Sequence, residues 1–386
     1  MVVDVVVAAG NVVIVGGAVD VVVEVSAGMV VDSLSAVAES VLEPQAESTA
    51  RRSDEAMNFR VTSSSCQQFV GCVRRCMLDW VTDVRRGTLP AVTAIGEPVG
   101  DARVQRLTVA DGVDLEVIRR GPEHPIDGPG WVLLHGLSSN AMMWDQVGYR
   151  LAAQGSSVVA VNQRGHGRSS KPEHGYEMAT IADDLASLIA SLGWDRPIIV
   201  GQSWGGNVVI ETASRHRDLV SAVGCVDGGF IRLGDRFESW EACAEVLAPP
   251  MIAGTPASEV RGWIERSAAD WPPEGREATM ANFEIRADGT VAPWLTRERH
   301  MSVLRGLWEH DPMAAMAAVD VPISFLVADS GEAAWSRSRH AAVETAIAAS
   351  ADADAVWFPG AHHDVHAQRP DDVTSALLAL AARARM

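Results

Sequence analysis

The chain has 386 residues, of which 47% are hydrophobic and 21% are charged, a composition typical of a globular protein and not of a disordered one. The formal net charge is −18, from 32 basic and 50 acidic residues. This balance argues against nucleic acid or an anionic membrane as a partner, because both require clustered cations. Five cysteines are an odd number for a disulfide framework, so we expect a reduced, cytoplasmic protein. The oligomeric state stays open.

The first hundred residues differ in composition from the rest of the chain. Fourteen of the first thirty residues are valine, and residues 1–50 contain seven acidic residues and no Lys or Arg. The longest uncharged run, 5–19, is too short to span a bilayer, and no basic region precedes it as in a secretory signal. We therefore predict that residues 1–100 are a low-complexity extension and linker, poorly ordered, in which 66–86 could form a short amphipathic helix.

From residue 103 onward, apolar strands alternate with amphipathic helices, which predicts a parallel sheet with helices on both faces. The predicted strands are a hairpin over 104–118 around Asp111-Gly112, then 131–134, 158–161, 197–200, 221–226, 323–328 and 355–358. The predicted helices are 143–151, 181–192, 205–216, 334–349 and a last one from 370.

Residues 229–312 interrupt this alternation and are rich in Trp and Pro. The stretch is too long for a connecting loop, so we predict an inserted helical cap. The core domain would then consist of residues 101–228 and 313–386.

A Gly-x-Ser-x-Gly pattern, Gly201-Gln202-Ser203-Trp204-Gly205, lies between an apolar strand and a helical pattern. A sharp turn from strand to helix forces its central residue into strained backbone angles, and glycines flank it because side chains there would collide. Such a turn would lift the Ser203 hydroxyl clear of the sheet at a helix N-terminus. The pattern therefore indicates a nucleophilic serine.

Together with other motifs, this turn resembles the α/β-hydrolase superfamily over roughly residues 103–386. The other motifs are His135-Gly136, Arg164-Gly165-His166-Gly167-Arg168-Ser169 and the late Gly360-Ala361-His362-His363-Asp364. The resemblance implies a mostly parallel eight-stranded sheet, with helices on both faces and a helical cap after strand six. It also implies an oxyanion hole formed by the amides of Leu137 and Trp204.

A serine hydroxyl needs a neighbouring base to act as a nucleophile. The resemblance places this base in the loop after the last strand, where it aligns with His363; a shifted register would select His362. His135 and His166 belong to turns that shape the site, and His366 resembles a pocket-wall or capping residue. We expect the remaining histidines in loops or on helix surfaces: His124, His174, His216, His300, His310 and His340.

A carboxylate must hold the tautomer of this histidine. The superfamily places it after strand seven or, less often, directly after strand six. Asp227 directly follows predicted strand six, at its carboxyl end, and precedes two glycines, which leave room for an imidazole ring. Asp329 and Glu332 follow predicted strand seven. We favour Asp227, then Asp329, then Glu332.

Serine at the turn favours acyl transfer, because the haloalkane dehalogenases and epoxide hydrolases of the superfamily carry aspartate there. We expect a serine hydrolase that cleaves a small to medium, largely apolar carboxylic ester, so that its partner is a small-molecule substrate. Trp144, His135 and Ser138 would line the substrate pocket. No metal or nucleotide motif is present in the sequence, so no cofactor is expected.

The same machinery also serves C–C bond hydrolases, lactonases, peptidases and cofactor-free perhydrolases. A non-catalytic ligand-binding protein on a hydrolase fold is the alternative from another class.

Overall fold

A computed structural model of the chain describes residues 4–8, 11–16, 19–23, 102–331 and 333–384. The chain divides into two units, Met1–Thr93 and Ala94–Met386. In the first unit, three strands form an antiparallel sheet: β1 (Asp4–Ala8), β2 (Asn11–Gly16) and β3 (Val19–Val23). The helix predicted over 66–86 lies outside the described residues, and the poor order expected for 1–100 stays a prediction.

Ten strands follow among the described residues of the second unit. They are β4 (Arg103–Ala110), β5 (Val113–Arg120), β6 (Trp131–Leu134), β7 (Val158–Val161), β8 (Ile198–Gln202), β9 (Ala222–Val226), β10 (Phe283–Ile285), β11 (Val291–Pro293), β12 (Ile323–Asp329) and β13 (Ala353–Pro359). Eight of them form one sheet in the order β4-β5-β7-β6-β8-β9-β12-β13. The six strands from β7 to β13 in this order run parallel, whereas β5 is antiparallel to β7 and to β4. The mostly parallel sheet predicted from the sequence is confirmed.

Helices cover both faces of this sheet. They are α1 (Asp145–Ala153), α2 (Met178–Leu192), α3 (Trp204–Arg215), α4 (Trp240–Leu247), α5 (Ala257–Ser267), α6 (Pro273–Met280), α7 (Arg297–Glu309), α8 (Pro312–Met316), α9 (Ala333–Ala349), α10 (Val365–Gln368) and α11 (Pro370–Ala384). Alternate residues of β6 point to opposite faces. Val132 and Leu134 join the core cluster beneath α2, α3 and α9, whereas Trp131 and Leu133 join the cluster beneath α1 and α11.

The segment 229–312 contains four helices, α4 to α7, and also the antiparallel pair β10 and β11. We predicted a purely helical cap, and the structure differs from this prediction by the strand pair β10 and β11. Each strand has only three residues, and the turn between them is held by Asp288, whose Oδ1 accepts from the Thr290 N–H at 2.9 Å. Within the described ranges, no helix combines the length and apolarity needed to cross a membrane.

A buried ion pair holds the loop after β7 against α2. Arg164 Nε and Nη2 each lie 2.7 Å from a carboxylate oxygen of Asp184, and both side chains are less than 10% exposed, at 7% and 6%. Removing one partner leaves a buried charge without compensation, so we expect Asp184→Asn to lower the free energy of unfolding by about 3–5 kcal/mol. Urea denaturation followed by circular dichroism measures this change.

The control for this prediction is Asp320→Asn, which breaks the exposed pair between Arg217 and Asp320. Exposed pairs contribute less than about 1 kcal/mol, so this variant should unfold almost like the wild type. Equal stabilities for the two variants would contradict the prediction.

Candidate active site

Ser203 lies on the tight turn between β8 and α3. Its backbone has φ 52° and ψ −122°, a strained conformation for a residue with a side chain. A Cβ added at Gly201 would lie 2.0 Å from the carbonyl oxygen of Gly205, and one added at Gly205 would lie 2.5 Å from the carbonyl oxygen of His135. Only glycine fits at both positions. The sharp strand-to-helix turn predicted from the sequence is confirmed.

The loop after β6 passes directly beside this serine. A Cβ added at Gly136 would lie 3.1 Å from Ser203 Cβ. Across the described part of the chain, no acceptor meets the backbone N–H of Leu137 or that of Trp204. The Trp204 N–H begins α3 and carries the positive end of the helix dipole. The two amides expected to form an oxyanion hole are therefore unoccupied donors.

His363 and Asp227 meet at the carboxyl edge of the sheet. His363 Nδ1 lies 2.5 Å from Asp227 Oδ2, and the Asp227 side chain has no exposed surface. Because a carboxylate accepts, Nδ1 carries the proton and Nε2 presents its lone pair. Gln202, which directly precedes Ser203, donates from Nε2 to the His363 carbonyl oxygen at 3.3 Å. The loop that carries the imidazole is thus attached to the last residue of β8, next to Ser203.

Neither the Ser203 hydroxyl nor His363 Nε2 has a hydrogen-bond partner among the residues described. In unliganded active sites, the contact between nucleophile and base is often long and tightens when substrate binds. Two further contacts keep Ser203 close to the strand that carries Asp227. The Ser203 N–H donates to the Val226 carbonyl oxygen at 2.9 Å, and a Cβ added at Gly228 would lie 2.1 Å from the Ser203 carbonyl oxygen.

The other two candidate acids have different positions. Asp329, the last residue of β12, accepts from the Gly331 N–H at 3.0 Å and from the Ser336 hydroxyl at 2.5 Å. Within the described residues it makes no contact with His363. Glu332 lies outside the described residues. The structure therefore brings Asp227, and not Asp329, to the imidazole.

The pKa of His363 is raised above the ordinary histidine value. The partial loss of contact with water would by itself lower this pKa, but the hydrogen bond to Asp227 and the charges of Asp227 and Asp364 stabilise the protonated ring, and the charge of Arg339 opposes them in part. The ring is not sealed off, since 46% of the side-chain surface is accessible to solvent. The imidazole can therefore be reached by a ligand and has a strengthened affinity for a proton.

Two residues predicted to line the substrate pocket are instead buried in the protein. His135 is completely buried, donates from Nδ1 to the Gly136 carbonyl oxygen at 2.7 Å and accepts at Nε2 from the Gln163 N–H at 3.1 Å. Burial lowers the pKa of His135 to about 4, so the ring is neutral. Trp144 is also completely buried and packs on His366, with ring centroids 4.4 Å apart. Their burial does not support a direct contact with substrate.

Ser138 links the oxyanion loop to the cap. Its hydroxyl lies 2.7 Å from His300 Nδ1, and His300 Nε2 lies 3.2 Å from the Leu247 carbonyl oxygen. Because a carbonyl oxygen only accepts, Nε2 carries the proton and the Ser138 hydroxyl donates to Nδ1. His300 is 7% exposed, and the expectation that it lies on a helix surface is wrong. The side chain of His310 is buried as well, against Asn207 and Glu211.

Sequence reasoning also missed Arg339. This residue of α9 donates from Nη1 to Asp227 Oδ1 and, at 3.0 Å, to the Ala328 carbonyl oxygen. It lies 112 residues beyond Asp227 in the chain. No motif surrounds Arg339 or His300 in the sequence, and both contacts arise only from the packing of distant elements.

Known proteins show the same architecture. The family model for the alpha/beta hydrolase fold matches residues 132–250. The 2-(acetamidomethylene)succinate hydrolase of Mesorhizobium japonicum is 27% identical over 269 residues, which cover 69% of this chain and 92% of the relative. Epoxide hydrolase A of Mycobacterium tuberculosis is 27% identical over 320 residues, which cover 72% of this chain and 97% of the relative.

A solved structure extends this similarity to three dimensions. The crystal structure of E-2-(acetamidomethylene)succinate hydrolase superimposes with a TM-score of 0.60 and 25% identity, covering 72% of this chain and 98% of that one. The chain has the fold of the α/β-hydrolase superfamily. Both of these relatives are named hydrolases, and the chain is an enzyme of the α/β-hydrolase class.

Proposed function

We propose that this α/β-hydrolase cleaves a small to medium, largely apolar carboxylic ester through a covalent acyl-enzyme on Ser203. His363 acts as the base and Asp227 as its carboxylate partner. The observation that carries the proposal is the 2.5 Å contact between His363 Nδ1 and Asp227 Oδ2, next to a strained serine turn. Of the apolar residues next to these groups in the chain, Leu137 is partly exposed and favours an apolar acyl chain.

The reaction needs two proton transfers through His363. Ser203 Oγ attacks the ester carbonyl while His363 Nε2 takes its proton, and Asp227 stabilises the imidazolium that forms. The amides of Leu137 and Trp204 stabilise the negative oxygen of the tetrahedral intermediate. The imidazolium then protonates the departing alcohol, which leaves the acyl group on Ser203. Water, activated by the neutral ring, releases the acid and restores the serine hydroxyl.

Serine at the turn argues against epoxide opening, although epoxide hydrolases are among the relatives. Attack of a serine oxygen on an epoxide carbon would form an ether, which water cannot cleave by addition to a carbonyl. Attack on an ester carbonyl forms an acyl-enzyme that water can cleave. The unoccupied amides beside Ser203 are also useful only where a carbonyl oxygen becomes negative.

Amide hydrolysis is a second candidate, favoured by one comparison. The relative from Mesorhizobium japonicum is named for a substrate with an acetamido group, and it spans most of this chain. The same groups would cleave an amide if the imidazolium protonates the departing nitrogen. Rates with 4-nitrophenyl acetate, butyrate and octanoate, compared with the matching 4-nitroanilides, separate the two. We expect measurable turnover of the esters and much slower turnover of the anilides, and the reverse order would favour the amide candidate.

A fluorophosphonate probe separates an enzyme from a non-catalytic ligand-binding protein on the same fold. Such a probe reacts with a serine only when a neighbouring base activates it. We expect stoichiometric labelling of the folded protein, with the modified peptide containing Ser203. Folded protein that does not react would favour the binding protein.

The pH dependence of ester hydrolysis follows from the pKa of His363. The ring must be neutral to take the Ser203 proton, and its pKa is raised above the ordinary 6.5. We therefore expect kcat/KM to fall as the pH is lowered through an apparent pKa above 6.5. Initial rates with a neutral ester between about pH 5 and 9 test this. A rate that stays constant throughout this range would contradict the assignment of a histidine base.

A further inference from the structure

Helix α9 places a guanidinium against the buried carboxylate of the site. Arg339 Nη1 donates to Asp227 Oδ1 and also, at 3.0 Å, to the carbonyl oxygen of Ala328 at the end of β12. The Arg339 side chain is 12% exposed and that of Asp227 is fully buried. A carboxylate in such a place is costly unless it is paired, and this arginine is its cationic partner on the side away from His363.

The donors around Asp227 leave its carboxylate one useful orientation. Oδ1 accepts from Arg339 and from the Ala328 N–H at 3.2 Å, and Oδ2 accepts from His363 Nδ1 at 2.5 Å. Rotation of the carboxylate would break bonds on both oxygens. Because β12 and α9 hold Oδ1, Oδ2 is directed at the imidazole.

The backbone of Asp227 is strained, so its side chain needs neighbours that fix its orientation. Asp227 has φ 45°, a left-handed conformation that costs on the order of 1 kcal/mol or more for a residue with a side chain. The chain accepts this conformation at the end of β9, directly beside the nucleophile turn. A side chain on a strained backbone keeps its orientation only where its neighbours determine it.

Two residues one turn apart on α9 contact the two carboxylates, Asp329 and Asp227, that were the leading candidate acids. Ser336 and Arg339 are three residues apart and therefore lie on the same side of the helix. The Ser336 hydroxyl donates to Asp329, and the Arg339 guanidinium donates to Asp227. Asp329 is held at the end of β12, while Asp227 is held toward His363.

We infer that Arg339 is a positioning residue of the proposed catalytic site, which holds the Asp227 carboxylate in the orientation that His363 requires. The inference rests on the proposed function, since it concerns the same base. Arg339 has a second effect, because its positive charge disfavours a proton on His363. The other groups that act on this ring are Asp227 and Asp364, which favour the protonated form, and His366, whose own charged form is disfavoured by His363.

The test uses two variants that separate charge from hydrogen bonding. Arg339→Gln removes the charge and keeps an N–H donor, whereas Arg339→Lys keeps the charge and loses the planar fork. The control is Arg217→Gln, at an exposed arginine that pairs with Asp320 and with none of the site residues described. For each protein, Vmax/KM for 4-nitrophenyl acetate is measured against pH and divided by the concentration of sites that a fluorophosphonate titrates, which gives kcat/KM per reactive site. Misfolded protein is thereby removed from the comparison.

We expect Arg339→Gln to move the acid limb of the profile upward by about 0.5–1 pH unit and to lower the plateau about tenfold. Arg339→Lys should keep the limb at the wild-type pH and lose only part of the plateau rate. Arg217→Gln should match the wild type. A purely structural role would reduce the titratable sites and leave the limb in place.

Three results would overturn the inference. The first is an Arg339→Gln profile that matches the wild type, and the second is an equal loss of rate in both variants with no movement of the limb. The third applies if Arg339→Gln yields no folded protein: a plateau rate of Arg339→Lys equal to that of the wild type would then overturn the inference. A wild-type protein that neither hydrolyses the ester nor reacts with the probe would instead defeat the proposed function itself.

Discussion

Replacing Ser203 with alanine is expected to lower kcat for ester hydrolysis by about 10⁴- to 10⁶-fold. The variant retains the Leu137 and Trp204 amides but has no oxygen to form the acyl-enzyme. It should fold normally, because alanine is smaller than serine and the Ser203 hydroxyl has no hydrogen-bond partner among the described residues. Steady-state rates with 4-nitrophenyl butyrate, together with thermal melting curves, measure both effects.

The matched control is Ser191→Ala, which removes an exposed hydroxyl that donates to the Ser187 carbonyl oxygen within α2. This variant should hydrolyse the ester at the wild-type rate. Hydrolysis that survives in purified Ser203→Ala at more than about a hundredth of the wild-type rate would show that another group performs the chemistry.

The exchange of Asp227 for asparagine is expected to lower kcat by about 10⁴-fold. The carboxylate accepts the proton of His363 Nδ1, at 2.5 Å. The asparagine amide can donate to Nδ1 instead, which favours the tautomer with the proton on Nε2. A protonated Nε2 cannot accept the proton of Ser203. The same exchange at Asp329 should leave kcat nearly unchanged, because that side chain contacts Ser336 and Gly331 and not the imidazole.

The pair Asp227→Asn and Asp329→Asn therefore forms its own control, since both remove one carboxylate at the edge of the same sheet. Melting temperatures establish that each variant is folded before rates are compared. A large loss in Asp329→Asn together with a small one in Asp227→Asn would reverse the assignment and place the acid after β12.

Local signals were sufficient for most of the fold. The strands β6 and β7 were predicted with their observed bounds because all four positions of each are buried and apolar. The Ser203 turn was found for a similar reason, since the glycines that it requires stand directly beside it in the chain. The β4–β5 hairpin was marked by Asp111-Gly112, and its antiparallel pairing is confirmed.

Elements that depend on distant contacts were harder to predict. The strands β10 and β11 were missed although Asp288-Gly289 marks the turn between them, because three residues per strand give too short an alternation. His300 looked like a surface residue of a helix. Its burial depends on Ser138, 162 residues away in the chain.

The choice among the acids shows the same limit. Asp227 directly follows β9 and Asp329 is the last residue of β12, so the local sequence favoured neither decisively. What distinguishes them in the structure is α9, which meets Asp329 with Ser336 and Asp227 with Arg339. The partners of a carboxylate at a strand end are set by the packing of the next helix, and no spacing in the sequence encodes that packing.

The proposed reaction requires a covalent acyl group on Ser203, and mass spectrometry of protein quenched during turnover tests for this group most directly. With 4-nitrophenyl butyrate, we expect a burst of nitrophenol equal to the enzyme concentration and a butyryl group on the peptide that contains Ser203. The adduct should be absent from Ser203→Ala. Rapid turnover with no acylated peptide at any quench time, or an acyl group on another residue, would contradict the account.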